Sequence, residues 1–112
     1  MNNLNSVIEE GVLLEKPTFQ STPQAKPSCT FTIASNRFYR IKGKIEKEVS
    51  HFDVEAFGKV AENAHHFGQE GRGVRVVGRL QQKTWTDSKG KGQSKIIIVA
   101  EHVEFRPKLE DK

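Results

Sequence analysis

The fold of this 112-residue chain is decided by the stretch Val74-Arg-Val-Val-Gly-Arg-Leu-Gln-Gln-Lys-Thr-Trp85. Successive side chains of a β-strand point to opposite faces, so the first apolar residues of the stretch would share one face. The other face would carry the cations Arg75, Arg79 and Lys83 and would end at the only tryptophan, Trp85. Phosphates attract such cations, and unstacked bases stack on aromatic rings. The pattern predicts a strand with one face in a core and the other towards a polyanion that carries flat rings.

Length and composition limit the class of protein. A chain of 112 residues suits one domain with one modest core, and 29% charged residues suit a well-solvated surface. The sequence has no apolar run of about 18 residues and no basic, apolar leader at its start, so neither a membrane span nor secretion is expected. The single cysteine, Cys29, excludes an internal disulfide framework and is compatible with a reducing, cytoplasmic compartment.

The charge distribution is more informative than the formal net charge of +4. Between residues 72 and 95 the only acid is Asp87. The cations there are Arg72, Arg75, Arg79, Lys83, Lys89, Lys91 and Lys95. A second basic cluster contains Arg37, Arg40, Lys42, Lys44 and Lys47. This asymmetry predicts a positive face that attracts a polyanion, and a solvated surface without a partner is the alternative interpretation.

The order of predicted elements indicates an all-β fold with one short helix. Alternating patterns predict five strands, at residues 5–15, 29–40, 49–57, 74–85 and 94–105. Helical spacing predicts the helix over 58–68, between the third and fourth strands, and three prolines predict a loop or edge segment over 16–28. This is the order of the five-stranded oligonucleotide-binding (OB) barrel, with lysine-rich hairpin arms. We expect one OB domain over 1–107 and a short charged end at 108–112.

Aromatic residues near strand ends or beside the basic loops are the candidates for base stacking: Phe38, Tyr39, Phe57 and Trp85. The alternative is that these rings close the ends of the barrel. His51 also carries a ring that could stack, on the odd-numbered face of the third strand.

Neither catalysis nor metal binding is predicted. A paired acid–base site could be imagined among the carboxylates Glu9, Glu10, Asp53 and Glu55, but no glycine-rich substrate loop or second acidic motif accompanies them. Cys29 has no recognisable catalytic partners, and no zinc-ligand spacing is present. We expect no enzyme activity, no cofactor and no metal.

Six motifs together resemble the bacterial single-stranded DNA-binding protein (SSB) family over residues 3–107. The motifs are Asn5-Ser-Val-Ile-x-x-Gly11, Phe31-Thr-Ile-Ala-Ser35, Phe57-Gly-Lys-Val-Ala-Glu62, Gly71-Arg-Gly-Val-Arg-Val-Val-Gly-Arg-Leu80, Trp85-Thr-Asp87 and Ile98-Val-Ala-Glu-His-Val-Glu-Phe105. The resemblance implies a homotetramer of OB domains, a dimer of dimers, around which single-stranded DNA wraps without sequence preference. It also implies a role in replication, recombination and repair at the bacterial nucleoid.

The resemblance also assigns roles to residues. Trp85, Phe57 and Tyr39 fall where the family places base-stacking aromatics, and His51 falls at a further such position that is often aromatic. By the same resemblance, phosphate or groove contacts would come from Arg75, Arg79 and Lys83, with loop contacts from Arg37, Lys42, Lys89 and Lys91.

One family feature is expected to be absent. Family members carry a long C-terminal region with an acidic tip that recruits replication and repair enzymes, whereas this chain stops at Lys112. Recruitment through such a tail is therefore not carried over. Two other functions remain open from the sequence, an OB interaction module of a primosome-like assembly and an RNA-binding chaperone of the cold-shock type. Aromatic-to-alanine variants and DNA/RNA competition would discriminate them.

Overall fold

A computed structural model describes residues 1–107, so the predicted charged end at 108–112 lies outside the described residues. The described part consists of β1 Val7–Leu13, β2 Thr18–Thr22, β3 Ala25–Ile41, β4 Lys44–Phe57, α1 Gly58–Phe67, β5 Gly73–Thr86 and β6 Gly92–Phe105. The strands are ordered β1-β5-β6-β4-β3-β2 in the sheet. A further pairing between β1 and β3 closes every strand except β2 into a five-stranded barrel. The predicted all-β barrel with one short helix is confirmed.

The strand β2 is an addition to the predicted five. It lies in the proline-bearing segment and pairs only with β3, through Thr18 with Thr30 and Phe19 with Cys29. Pro27 does not prevent this pairing, because it falls at the register shift of β2 and before the first β3–β4 pair at Ser28. The helix therefore follows the fourth strand in the chain, although it still follows the third strand of the barrel.

The first hairpin arm is longer than the predicted strands 29–40 and 49–57. The β3–β4 register continues without a shift from Ser28 opposite Phe57 to Ile41 opposite Lys44. Only Lys42 and Gly43 remain as the turn, with φ angles of +50° and +80°. Positive φ at both central residues is the geometry of a tight hairpin turn whose twist matches its strands, so both strands extend to the tip.

The core lies inside the barrel and under the helix. Ala61 and Ala64 bring α1 against the barrel, and the ring of Phe19 on β2 stacks on His65 at 4.2 Å between centroids. The helix has no acidic residue in its first turn and no side-chain cap, so packing holds it, as expected for ten residues. The buried barrel residues of this core are Leu13, Cys29, Phe31, Ile33, Val54, Ala56, Val74, Val76, Ile98, Ala100 and Val103.

Barrel closure requires two backbones to approach closely at Gly11. β1 pairs with β5 through residues 7–12 and with β3 through Val12 and Leu13, so it must bend from one neighbour to the other. A Cβ atom on Gly11 would lie 2.9 Å from the carbonyl carbon of Ala34 on β3, and even closer to its oxygen. Glycine, which has no Cβ, permits this close approach of the two backbones.

Replacing Gly11 with alanine should lower the free energy of unfolding by about 1–3 kcal/mol, because the methyl group must displace backbone rather than flexible side chains. Gly92→Ala is a matched control, since its Cβ would meet nothing within 4 Å. Urea unfolding followed by Trp85 fluorescence measures both variants. Equal unfolding midpoints would contradict the close approach.

Burial also makes a prediction for Cys29, which is 1% exposed. Burial raises the pKa of its thiol to about 11, from an ordinary value of 9.0. Since the thiolate is the nucleophile, iodoacetamide at pH 8 should label the native protein on the order of a hundredfold more slowly than the urea-unfolded chain. Equal rates in the two states, measured by mass spectrometry, would show that Cys29 is not buried.

Candidate nucleic-acid interface

The unbroken β3–β4 register assigns the aromatic candidates to faces. Val54 on β4 is buried in the barrel, so the odd-numbered residues of β4, including His51 and Phe57, point outwards. Phe38 lies directly opposite Lys47 and therefore shares their outward face. Tyr39, the next residue, points to the opposite side of the arm, so the structure separates it from the other rings.

The rings differ in exposure. Phe57 and Trp85 are 44% and 46% exposed, and Phe38 is 64% exposed. Tyr39 is half-buried, with the guanidinium carbon of Arg37 4.9 Å from its ring centroid, a cation–π contact that presents a ring and a charge together. His51 is exposed. Each of these rings has a surface on which a flat partner can stack.

The outward faces of β5, β6 and β4 form one continuous surface, here called the outer face. On β5 it includes Arg79, Lys83 and Trp85, which lie opposite Val99, Lys95 and Gln93 of β6. β6 in turn runs parallel to β4, with Val99 beside Glu55. The outer face therefore extends from Trp85 across β6 to Phe57 and His51. Of the predicted contacts, it brings together the two cations of β5, Trp85, Phe57 and His51.

Arg75 also lies on the outward side of β5, but near the start of that strand, opposite Glu104 of β6 and far along the strand from Trp85. Its Nε and one terminal nitrogen lie 2.7 and 2.6 Å from a carboxylate oxygen of Glu10 on β1, and this oxygen also accepts a hydrogen bond from Arg106. The hydrogen bonding from Arg75 foremost, and then that from Arg106, lowers the pKa of Glu10. Arg75 and Glu10 border a depression that also includes the apolar Ile8 and Val77. Arg75 is engaged in an ion pair and does not join the predicted phosphate contacts near Trp85.

The predicted loop cations lie at the tips of the two arms. Lys42 occupies the turn of the β3–β4 arm, and Lys89 and Lys91 lie in the turn between β5 and β6. Arg37 lies lower on the first arm, 4.0 Å from Glu48. Strand directions place both tips at the same end of the barrel. The two arms therefore carry positive charge on either side of the outer face.

Asp87 shapes the second turn, a role that the sequence reading missed. Its Oδ1 accepts hydrogen bonds from the backbone N–H groups of Lys89 and Lys91, both at 2.9 Å. Its Oδ2 accepts from the Gln93 side-chain amide at 3.1 Å. These bonds, the Lys91 one foremost, lower the pKa of Asp87. An aspartate that begins a Gly-containing turn is the sequence signal that could have revealed this role.

The described residues 1–107 include no group of three His, Cys, Asp or Glu side chains placed to hold a metal ion. None of the helices within this range has the length and apolar character that crossing a membrane requires.

Asp87 makes the geometry of this turn dependent on pH. Its pKa is lowered on folding, so its stabilising bonds are complete above the ordinary value of 3.8 and are lost as the pH falls through the lower folded value. The amide NMR signals of Lys89 and Lys91 should stay constant from pH 7 to about 4 and move only below that. In Asp87→Asn, which keeps an acceptor oxygen but no charge, this titration should vanish. Movement of both signals near neutral pH would refute the assignment.

Comparisons with known proteins agree with this geometry. The family model described as "Single-strand binding protein family" matches residues 4–106. The chain is 40% identical over 108 residues to the single-stranded DNA-binding protein of Aquifex aeolicus, covering 94% of this chain and 73% of that protein. It is 32% identical over 108 residues to that of Helicobacter pylori, covering 96% and 60% respectively. The chain thus spans well under the full length of these curated relatives.

A solved structure supports the fold. The Plasmodium falciparum SSB in complex with ssDNA superposes with a TM-score of 0.86 at 17% identity, over 96% of this chain and 98% of that one. At this identity the likeness supports the fold alone. Family membership rests on the family match over most of the chain and on the identity to curated relatives, as the six sequence motifs predicted. The chain therefore belongs to the single-strand binding protein family.

Proposed function

We propose that this chain binds single-stranded DNA without sequence preference and protects it during replication, recombination and repair. It does so by stacking bases on aromatic rings and by pairing phosphates with cations, without covalent chemistry. The observation that carries the proposal is the outer face, where Trp85 and Phe57 flank the cations Arg79 and Lys83. Family membership and the similarity to proteins named for single-stranded DNA binding support it.

Base stacking supplies the part of the affinity that depends on unpaired bases. A base stacked on an aromatic ring contributes about 1–3 kcal/mol, and every base has a flat face. Trp85 and Phe57 are each nearly half exposed, so they can accept a base without rearrangement of the core. Tyr39 and Phe38 extend the set along the first arm, on its two opposite sides. His51 offers a smaller ring and a weaker subsite.

Phosphate contacts supply the part of the affinity that depends on salt concentration. On the outer face, phosphates pair with Arg79 and Lys83. On the arms, they pair with Arg37, Lys42, Lys89 and Lys91. Each neutralised phosphate should add about −0.7 to the slope of log affinity against log salt. Arg75 is the least favoured of the predicted contacts, because it lies at the other end of β5 from Trp85 and Glu10 holds its guanidinium through both Nε and a terminal nitrogen.

The protein acts as a homo-oligomer, proposed to be a tetramer built as a dimer of dimers in the bacterial cytoplasm, at the nucleoid. Exposed apolar residues outside the DNA-facing surface support self-association. On β1, Ile8 is 65% and Val12 is 40% exposed, beside the Glu10–Arg75 ion pair. Burial of such side chains against a second copy would remove them from water.

Replacing Trp85 with alanine should weaken binding to a labelled dT oligomer about five- to 150-fold, since the stacking contribution of one base is lost. Phe67→Ala is the matched control, because Phe67 is equally exposed, at 45%, but lies at the end of α1. Fluorescence anisotropy measures the affinity of both variants and of the unmodified protein for the labelled dT oligomer, with duplex DNA and oligo-rU as competitors. Unchanged affinity in Trp85→Ala, or equal affinity for duplex, would refute the proposal, and preference for oligo-rU would favour the RNA-chaperone alternative.

A further inference from the structure

Two carboxylates lie in the middle of the outer face. Asp53 and Glu55 are on the outward side of β4, opposite Thr32 and Thr30 of β3. Glu55 lies 3.0 Å from Nζ of Lys83, and Asp53 lies 3.3 Å from Nζ of Lys95. Asp53 also accepts a 2.9 Å hydrogen bond from the Thr32 hydroxyl, which fixes its carboxylate. Lys83 and Lys95 are thus already paired within the free protein, and Arg79 lies 4.0 Å from Glu101.

The Lys83–Glu55 pair crosses a whole strand. β6 lies between β5 and β4, so a side-chain bridge between the outer two must pass over β6. Lys83 lies opposite Lys95, and Glu55 lies beside Val99, so the bridge passes at the level of Ile97. Ile97 and Val99 are 2% and 7% exposed although they point outwards, away from the barrel core. The bridge therefore helps to cover an apolar strip of the outer face.

We propose that Asp53 and Glu55 are internal competitors of DNA phosphates. In the free protein they hold Lys83 and Lys95 across β6, and bound DNA takes the two lysines over. This inference rests on the proposed function. It adds that two specific residues limit the affinity of the protein for single-stranded DNA. Surface ion pairs are individually weak, so a phosphate can replace a carboxylate. A carboxylate that loses its lysine to DNA takes up a cation from solution, which offsets part of the counterion release and makes the salt slope shallower.

The test uses the full chain, a labelled dT oligomer and a salt series. At about 50 mM NaCl, Glu55→Gln should bind about three- to fivefold more tightly than the unmodified protein and steepen the salt slope by about 0.7. Glu70→Gln makes the same change in net charge in the segment between α1 and β5 and should change neither quantity by as much. Asp53→Asn, which releases Lys95, should act in the same direction as Glu55→Gln.

A double-mutant cycle separates pairing from general repulsion. If Glu55 acts by holding Lys83, Glu55→Gln should not steepen the slope when Lys83 is replaced by glutamine. The same change in both backgrounds would mean that Glu55 merely repels DNA, and the inference would be wrong. Equal behaviour of Glu55→Gln, Asp53→Asn and Glu70→Gln would also overturn it and leave the proposed function intact. Failure of the unmodified chain to bind the dT oligomer would overturn both.

Discussion

The whole architecture depends on the close approach of β1 and β3 at Gly11 and Ala34. There β1 leaves β5 and pairs with β3, and that change of partner closes the barrel. A closed barrel has no free edge of its own, and among residues 1–107 only the added strand β2 remains as an edge. Closure also commits one side of every barrel strand to the core. The opposite sides of β5, β6 and β4 are left to form one outward surface.

That outward surface combines two requirements that oppose each other. Cations are needed to attract phosphates, but a row of unpaired cations repels itself in the free protein. Here carboxylates of β4 hold Lys95 on the adjacent strand β6 and Lys83 beyond it on β5, while the cations of the arm tips lie apart from them. The protein therefore presents its least compensated charge at the arms and its most compensated charge between Trp85 and Phe57. The arms would make the first encounter with a polyanion, and the central surface would bind it by exchange of ion pairs.

Much of the fold was predictable because it depends on local patterns. Strand alternation in the Val74–Trp85 stretch identified the core-facing Val74 and Val76, and helical spacing identified the helix within 58–68. The segment 16–28 was predicted as a loop or an edge segment, and the structure places the edge strand β2 there, although it was not counted among the five predicted strands. The full length of the first arm was missed. Prolines suppress a strand prediction wherever they occur, although only the partner strand decides whether a missing N–H interrupts a ladder.

For the site, the sequence by itself determined which chemical groups are available: aromatic rings, cations and their alternation along single strands. It also determined the family, through motifs whose order spans the chain. Only the tertiary structure decided which groups meet. Strands β4, β5 and β6 become neighbours through long-range pairing, so the contact of Glu55 with Lys83 and the engagement of Arg75 by Glu10 join residues 28 and 65 positions apart. No local pattern records such separations, because register and sheet order arise only when the barrel closes.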